Sequence, residues 1–256
     1  MILRRIADAL RTQNWFTVIV EVLVVVIGIF LGLQVTEWNE SRKERVEERE
    51  YLGRLHDDIQ TQIEQMGYRE DYFQVANDDI QIVRAYLTSP DATTSPPARL
   101  VAAFYNSTVI YPFKPFSITY EELINTGKIQ ILRNIKLRSY IAQYFYDTEP
   151  LLNAWNIEND NDYRNLIRSV VPSEIQNLAA QTCEHSVDGI TFLKADCILD
   201  IDETLAANIL ADLRAKSSVL EFATLNQSKL NIALRLYGVN KIVAQQLLDE
   251  LKRAAQ

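Results

Sequence analysis

The sequence predicts an all-α protein in which an N-terminal transmembrane helix continues into a stalk helix and then a helical bundle. Three observations predict it. The 256 residues include only seven glycines and seven prolines, both helix breakers and too few for a protein of many short strands and turns. One run near the start, EVLVVVIGIFLGLQV from Glu21 to Val35, is apolar but for Glu21, two glycines and Gln34. Beyond it, apolar residues recur at steps of three and four, which is the helical period.

The first element is a cytoplasmic amphipathic tail over residues 1–14. Ile2, Leu3, Ile6 and Leu10 fall on one helical face and Arg4, Arg5 and Arg11 on the other. That pattern suits a short helix in the headgroup region, or simply the start of the span. The span follows over residues 15–38. A helix from Trp15 to Trp38 is roughly 36 Å long at about 1.5 Å per residue, enough to cross a hydrocarbon core of roughly 30 Å with some tilt. Trp15 and Trp38 are membrane-interface anchors, each an apolar ring with one N–H donor. The run is too long for a signal peptide, and no small-residue cleavage site follows it.

Lysine and arginine counts leave the orientation open, because Arg42, Lys43, Arg45 and Arg49 on the far side answer the arginines of the tail. Two other arguments place the N-terminus in the cytoplasm and the bulk of the chain in the periplasm. Long domains translocate largely regardless of charge, whereas a short tail with three arginines crosses against the membrane potential. Cys183 and Cys197 enclose so short a loop that a disulfide is expected in an oxidising compartment. Two buried thiols packed as small hydrophobes are the alternative.

A charged stalk helix occupies residues 39–51, and the bundle domain is assigned to residues 52–256. Leu52, Leu55, Ile59, Ile63 and Met66, then Phe73, Ala76, Ile80, Val83 and Leu87, form the apolar stripe of the first bundle helix. Such a stripe packs in its own domain or against a second copy. A loop rich in proline, serine and threonine spans residues 88–99. A short helix over Leu100–Asn106 and a rigid aromatic segment, YPFKPF, come next. Thr119 to Glu122 read as a capping box, and Gly127 as the left-handed end of that helix. A long helix is expected from Asn134, kinked at Pro150 and ended by Pro172. Of its aromatics, Tyr140, Tyr144 and Phe145 sit at core spacing. A helix from about Glu174 leads into the cysteine-bounded segment. Asp200 or Asp202 caps the next helix. The following one, Ser217–Tyr237, turns Val219, Phe222, Leu225, Ile232 and Leu236 inward and breaks at Gly238, before a last helix over Val239–Ala255.

The run VVVIGIFLGLQVTEWNESRKERVEEREYLGRLHDDI, with a glutamate leading the span, resembles the start of a family of proteobacterial single-pass membrane-anchored proteins that has no established activity. A second block, SITYEELINTGKIQILRNIKLRSYIAQYF, is similar to the middle of that family. The two blocks cover about a quarter of the chain. The resemblance implies a single-pass anchor with a helical domain, and no chemistry.

The chemistry legible in the sequence is sparse. A net charge of -8 excludes a nucleic-acid partner, which needs a basic face. His56 stands in LHDDI and His185 in CEHSVDG, where a lone C-x-H competes with the disulfide for Cys183; no metal site is assigned. NDND at Asn159–Asp162 lacks the glycine and closing glutamate of a calcium loop. No phosphate loop, nucleophile elbow or cofactor motif is present, so no catalytic or cofactor-binding residue is assigned. The pattern that does stand out lies in the span. Glu21, Val25, Gly28, Gly32 and Thr36 fall along one helical stripe. Gly28 and Gly32 have the spacing that lets two helices approach closely, a spacing also common by chance in apolar runs. A carboxylate about 9 Å inside Trp15, at about 1.5 Å per residue, is costly against lipid and seeks a partner or a protein interior. The expected partners are the lipid bilayer and either a second copy or another membrane protein. An interaction or scaffold role is the first expectation. A ligand sensor or an accessory subunit of an ion-coupled complex is the second, and a periplasmic enzyme without a local motif the third.

Overall fold

The computed structural model describes residues 15–111, 113, 115–158 and 162–255, and among these the side chains of all but residues 15–18, 21, 92 and 149–158. The tail over 1–14, the side chains of Trp15 and Glu21, and Asn159–Asn161 of NDND therefore lie outside the described residues. The chain divides into two compact units, Met1–Tyr51 and Leu52–Gln256. Helix α1, Trp15–Thr88, contributes to both.

In the first unit, every described side chain from Ile19 to Glu40 is exposed. Val24, Phe30 and Val35 each keep about 60% of their surface free, and so does Trp38. A helix apolar on every face has no inward side, and no described residue covers it.

In the second unit, the chain is predominantly helical. After α1 come a 3₁₀ turn at Pro90–Ala92, α2 at Pro97–Asn106 and α3 at Ile118–Asn125. A second 3₁₀ turn at Lys128–Ile131 precedes α4, Ile135–Glu158, and α5, Asp162–Val170. Then follow α6 at Ser173–Cys183, strands β1 at Glu184–Val187 and β2 at Ile190–Leu193, α7 at Glu203–Arg214 and α8 at Val219–Ala255. Leu55, Ile59, Met66, Phe73, Ala76, Ile80 and Val83 of α1 are fully buried. Helix α2 lies deepest, with residues 98–106 all buried. It packs on α5, α6 and α7, while α4 and α5 pack on α8. Pro97 stands in the first turn of α2, where a missing N–H costs nothing. The helix thus begins inside the expected loop, three residues before Leu100.

The structure corrects three local expectations. The first concerns the cysteine-bounded segment, in a chain whose described residues are otherwise predominantly helical, as the all-α class expects. The cysteine-bounded segment is an antiparallel hairpin, with Glu184 opposite Leu193 and Val187 opposite Ile190. Its turn is Asp188-Gly189, both at positive φ (52° and 79°), the Asp-Gly signature of a tight hairpin. Cys183 and Cys197 flank it and are joined by a disulfide, with Cα atoms 5.4 Å apart.

The second concerns the expected capping box. Ser117, not Thr119, precedes the first turn of α3, and its hydroxyl bonds the Glu121 carboxylate instead of a backbone N–H. The Thr119 N–H donates to Asp58 of α1 at 2.9 Å, and Glu122 pairs with Arg54. A buried carboxylate on another helix outcompetes the local hydroxyl, since the first-turn donors attract negative charge.

The third concerns the C-terminal helices. Gly238 does not break the chain there, and α8 runs unbroken for 37 residues. Its buried seam is Val219, Ala223, Asn226, Leu230, Ala233, Tyr237, Asn240, Ala244, Leu247 and Leu251. Of the residues expected inward, Val219 is buried, Phe222 and Leu236 are half-buried, and Leu225 and Ile232 are exposed. Steps of four and three through small and amide side chains allow close packing, which bulk hydrophobicity alone does not reveal.

The helix expected from Asn134 is described as α4 up to Glu158 and as α5 from Asp162, and the passage between them lies outside the described residues. Asn134 does cap it, its amide oxygen accepting from the Leu137 N–H at 3.1 Å. Asp202 is the cap of α7, accepting from Thr204 and Leu205 at 2.8 and 3.1 Å.

Candidate functional site

In the first unit, the stripe of Val25, Gly28, Gly32 and Thr36 is wholly exposed. A Cβ built on Gly28 or Gly32 meets nothing within 4 Å. No packing within this chain calls for glycine at either position. The Thr36 hydroxyl donates to the Gly32 carbonyl at 3.0 Å, so the stripe presents no unpaired donor. What it presents is a shallow, small-residue surface on a helix otherwise covered by branched side chains.

In the second unit, the polar side chains gather around the C-terminal end of α2. Asp79 on α1 is 1% exposed. It accepts from Arg99, in a buried ion pair, and from Asn106 Nδ2 at 2.8 Å. Arg99 Nη1 and Asn106 Oδ1 have no protein partner. One turn on, Asn226 of α8 donates to the Ser107 carbonyl at 2.8 Å, and the Ser107 and Tyr163 hydroxyls are 2.8 Å apart. Arg164 donates to the Thr108 carbonyl and Arg168 Nε to the Thr108 hydroxyl at 2.9 Å. The two arginines are four residues apart on α5 and reach one target. Cations at the end of α2 complement its dipole. Arg168 also lies over the Tyr105 ring at 3.7 Å, a cation–π contact.

The hairpin closes on this cluster. Burial raises the Glu184 carboxyl above its ordinary value, and the positive charges of Arg168 and Arg164 oppose that shift. The Thr191 N–H donates to Tyr111 Oη at 3.0 Å. Tyr111 packs edge-on against Tyr72, and Arg69 lies 4.4 Å from the Tyr111 ring and 4.9 Å from that of Phe113. The aromatic segment after α2 is therefore core. Burial pushes the phenols of Tyr72, Tyr163 and Tyr237 far above their ordinary value, so all three remain hydrogen-bond donors at any ordinary pH. Burial likewise lowers the Arg69 guanidinium. The Tyr237 hydroxyl, like Arg99 Nη1 and Asn106 Oδ1, is buried without a hydrogen-bond partner.

The histidines stand apart from this cluster. His56 Nδ1 is 3.1 Å from Asp57 Oδ1, and His185 stacks on Phe192 with centroids 5.3 Å apart. Cys183 is held in the disulfide, and no group of three metal-ligating side chains occurs among the described residues.

A hollow of about 490 Å³ opens where α1 ends, lined by Gln81, Arg84, Thr88, Ser89, Thr93 and Gln227. Arg84 donates to Gln227 Oε1, and its Nε is buried without a partner. Among the described residues that line it there is no carboxylate.

No family model, curated protein or solved structure matches the chain. The residues missed in the sequence are Asp79, Arg99, Arg164, Arg168 and Glu184. Only the Arg-x-x-x-Arg spacing on α5 was a readable signal, since the other partners meet through tertiary packing.

Proposed function

We propose that this chain is a membrane-anchored interaction or scaffold protein of the bacterial inner membrane. It holds its N-terminus in the cytoplasm, presents the helical domain to the periplasm, and associates through the stripe of Glu21, Val25, Gly28 and Gly32. One observation carries the reading. The apolar stretch of α1 is exposed on all faces, in a chain whose other unit closes its own core. Water is a poor solvent for such a surface and lipid a good one. The family resemblance of the two sequence blocks supports the anchor. The disulfide supports an oxidising compartment for the domain. Between helices in lipid, association rests on close packing, which glycines four residues apart permit. The carboxylate of the stripe gains a partner there.

The test is crosslinking of the full-length protein in native membranes. A dimer or a defined hetero-complex is expected, and Gly28→Leu should reduce it several-fold. A monomer in both proteins would overturn the association. Recovery after carbonate washing in the soluble fraction would overturn the anchor.

The Arg84 hollow favours a second reading, a ligand sensor. Its size is that of small-molecule sites, roughly 300–1,000 Å³, and an arginine without a carboxylate partner suits a small carboxylate ligand. A thermal-shift screen of small carboxylates on the full chain, repeated with Arg84→Gln, tests it. Shifts lost in the variant support the sensor, and no shift in either protein removes it.

A further inference from the structure

The hollow at the end of α1 is built from one face of that helix and from the turn that follows it. Gln81, Arg84, Ala85 and Thr88 stand at steps of three, one and three, so they share a helical face. Ser89 and Thr93 flank the 3₁₀ turn at Pro90–Ala92, and Gln227 closes the hollow from α8. Of the described residues that line it, Ala85 alone is apolar. The guanidinium is only half engaged. Arg84 Nη1 donates to Gln227 Oε1, while Nε is buried without a partner. Nε and Nη2 form the side edge of the group, a fork that matches the two oxygens of a carboxylate. The polar groups around it are uncommitted. Among the described residues, the Gln81 amide, the Ser89 and Thr93 hydroxyls and Gln227 Nε2 make no hydrogen bond to the protein. The Thr88 hydroxyl donates to the Arg84 carbonyl at 2.8 Å, which leaves its oxygen as an acceptor. The hollow also sits at the C-terminal end of a helix, where the last carbonyls lack a helical N–H and the dipole is negative. A hydroxyl donor is favoured there, and a second negative charge is not.

We propose that the hollow binds a polyhydroxylated monocarboxylate, the chemistry of a sugar acid, with its carboxylate on the Arg84 fork and its hydroxyls among Gln81, Thr88, Ser89, Thr93 and Gln227. The inference rests on the sensor reading above and gives that site its ligand class. One cation with no carboxylate beside it calls for a single negative charge on the ligand. The ring of amides and hydroxyls calls for a body that both donates and accepts. An apolar body would strip water from those groups and return no hydrogen bond. The helix end disfavours a dicarboxylate, whose second charge would meet no second cation. A volume of about 490 Å³ takes a ligand of monosaccharide size.

Titration calorimetry on the full-length protein in detergent micelles tests it, with gluconate, glucuronate and galacturonate as the sugar acids. Each control changes one feature. Galactose lacks the charge, cyclohexanecarboxylate lacks the hydroxyls, and galactarate carries a second carboxylate. At least one sugar acid is expected to bind, about tenfold or more tighter than every control. Arg84→Gln should abolish that binding. Because this change also removes the bond to Gln227, a second variant joins Ser89→Ala with Thr93→Val, in the turn after α1. It should weaken the sugar acid several-fold while the melting of the ligand-free protein stays as in the parent. Equal binding of cyclohexanecarboxylate overturns the hydroxylated class and leaves the sensor reading intact. Equal binding of galactose or of galactarate overturns the single charge. Binding that neither variant weakens places the ligand elsewhere and overturns the site. No binding of any sugar acid overturns the proposal, and the sensor reading falls with it only if the other small carboxylates fail as well.

Discussion

Asp58 shows how one side chain can hold two helices. It is 7% exposed, belongs to α1, and serves the first turn of α3 through the Thr119 N–H. Removing an acceptor from a buried donor costs about 1–3 kcal/mol. Asp58→Ala is thus expected to lower stability by about 2 kcal/mol in urea melts, whereas Ser117→Ala should stay within about 0.5 kcal/mol. Equal effects would return the cap to Ser117. Asp202 caps α7 in the ordinary way, and two backbone N–H bonds, from Leu205 and Thr204, hold its carboxyl below the usual value. A lowered folded-state pKa contributes stability that is present above the unfolded value and lost as pH falls through the folded one. Titration by NMR should find its midpoint below the usual carboxylate range. In Thr204→Pro, which removes both the Thr204 N–H and its hydroxyl, the midpoint should move up.

Among the elements, α8 is the most instructive. Gly238 lies in the middle of 37 helical residues, and a Cβ there would meet only Glu70 Oε1 at 3.8 Å, an ordinary contact. Gly238→Ala is expected to stabilise the domain by about 0.5–1 kcal/mol, read as a raised denaturation midpoint. A loss would mean the chain does break there. The glycine suggested an end because local propensity penalises it. The helix continues because the Ala and Asn seam on both sides of Gly238 is buried, and tertiary packing outweighs a penalty of about 1 kcal/mol. The hairpin is the reverse case. Its local signal, Asp-Gly between short alternating runs, is present in HSVDGITF, and an all-helical composition hid it.

On the scale of the whole molecule, the disulfide acts mainly on the unfolded chain. Cys183 and Cys197 lie 14 residues apart, and closing a loop of that length contributes about 3 kcal/mol. Reduction, or Cys183→Ser with Cys197→Ser, should lower global stability by about that amount. Amide exchange should quicken first in the hairpin, where Lys194 N–H bonds the Cys183 carbonyl at 2.7 Å. An unchanged denaturation midpoint on reduction would remove this role. At the same scale the two units differ in what they leave exposed. The first exposes apolar residues on every face, and the second buries Tyr144, Tyr163, Tyr237, Phe73 and Phe104 in one core.

What the sequence by itself determined are the features that depend on neighbours along the chain. These are the helical class, the long apolar helix and its glycine stripe, the αL end at Gly127, the start of α4 near Asn134 and a cap by Asp200 or Asp202 before α7. Each follows from composition, from a period, or from a side chain reaching a backbone group two or three residues away. The tertiary structure alone decided which carboxylate caps α3, which face of α8 turns inward, that Asp79 is buried with Arg99 and Asn106, and that Arg164 and Arg168 meet at Thr108. Those outcomes turn on desolvation by distant segments, and an ionised or polar group in water carries no mark of the partner it will need once buried.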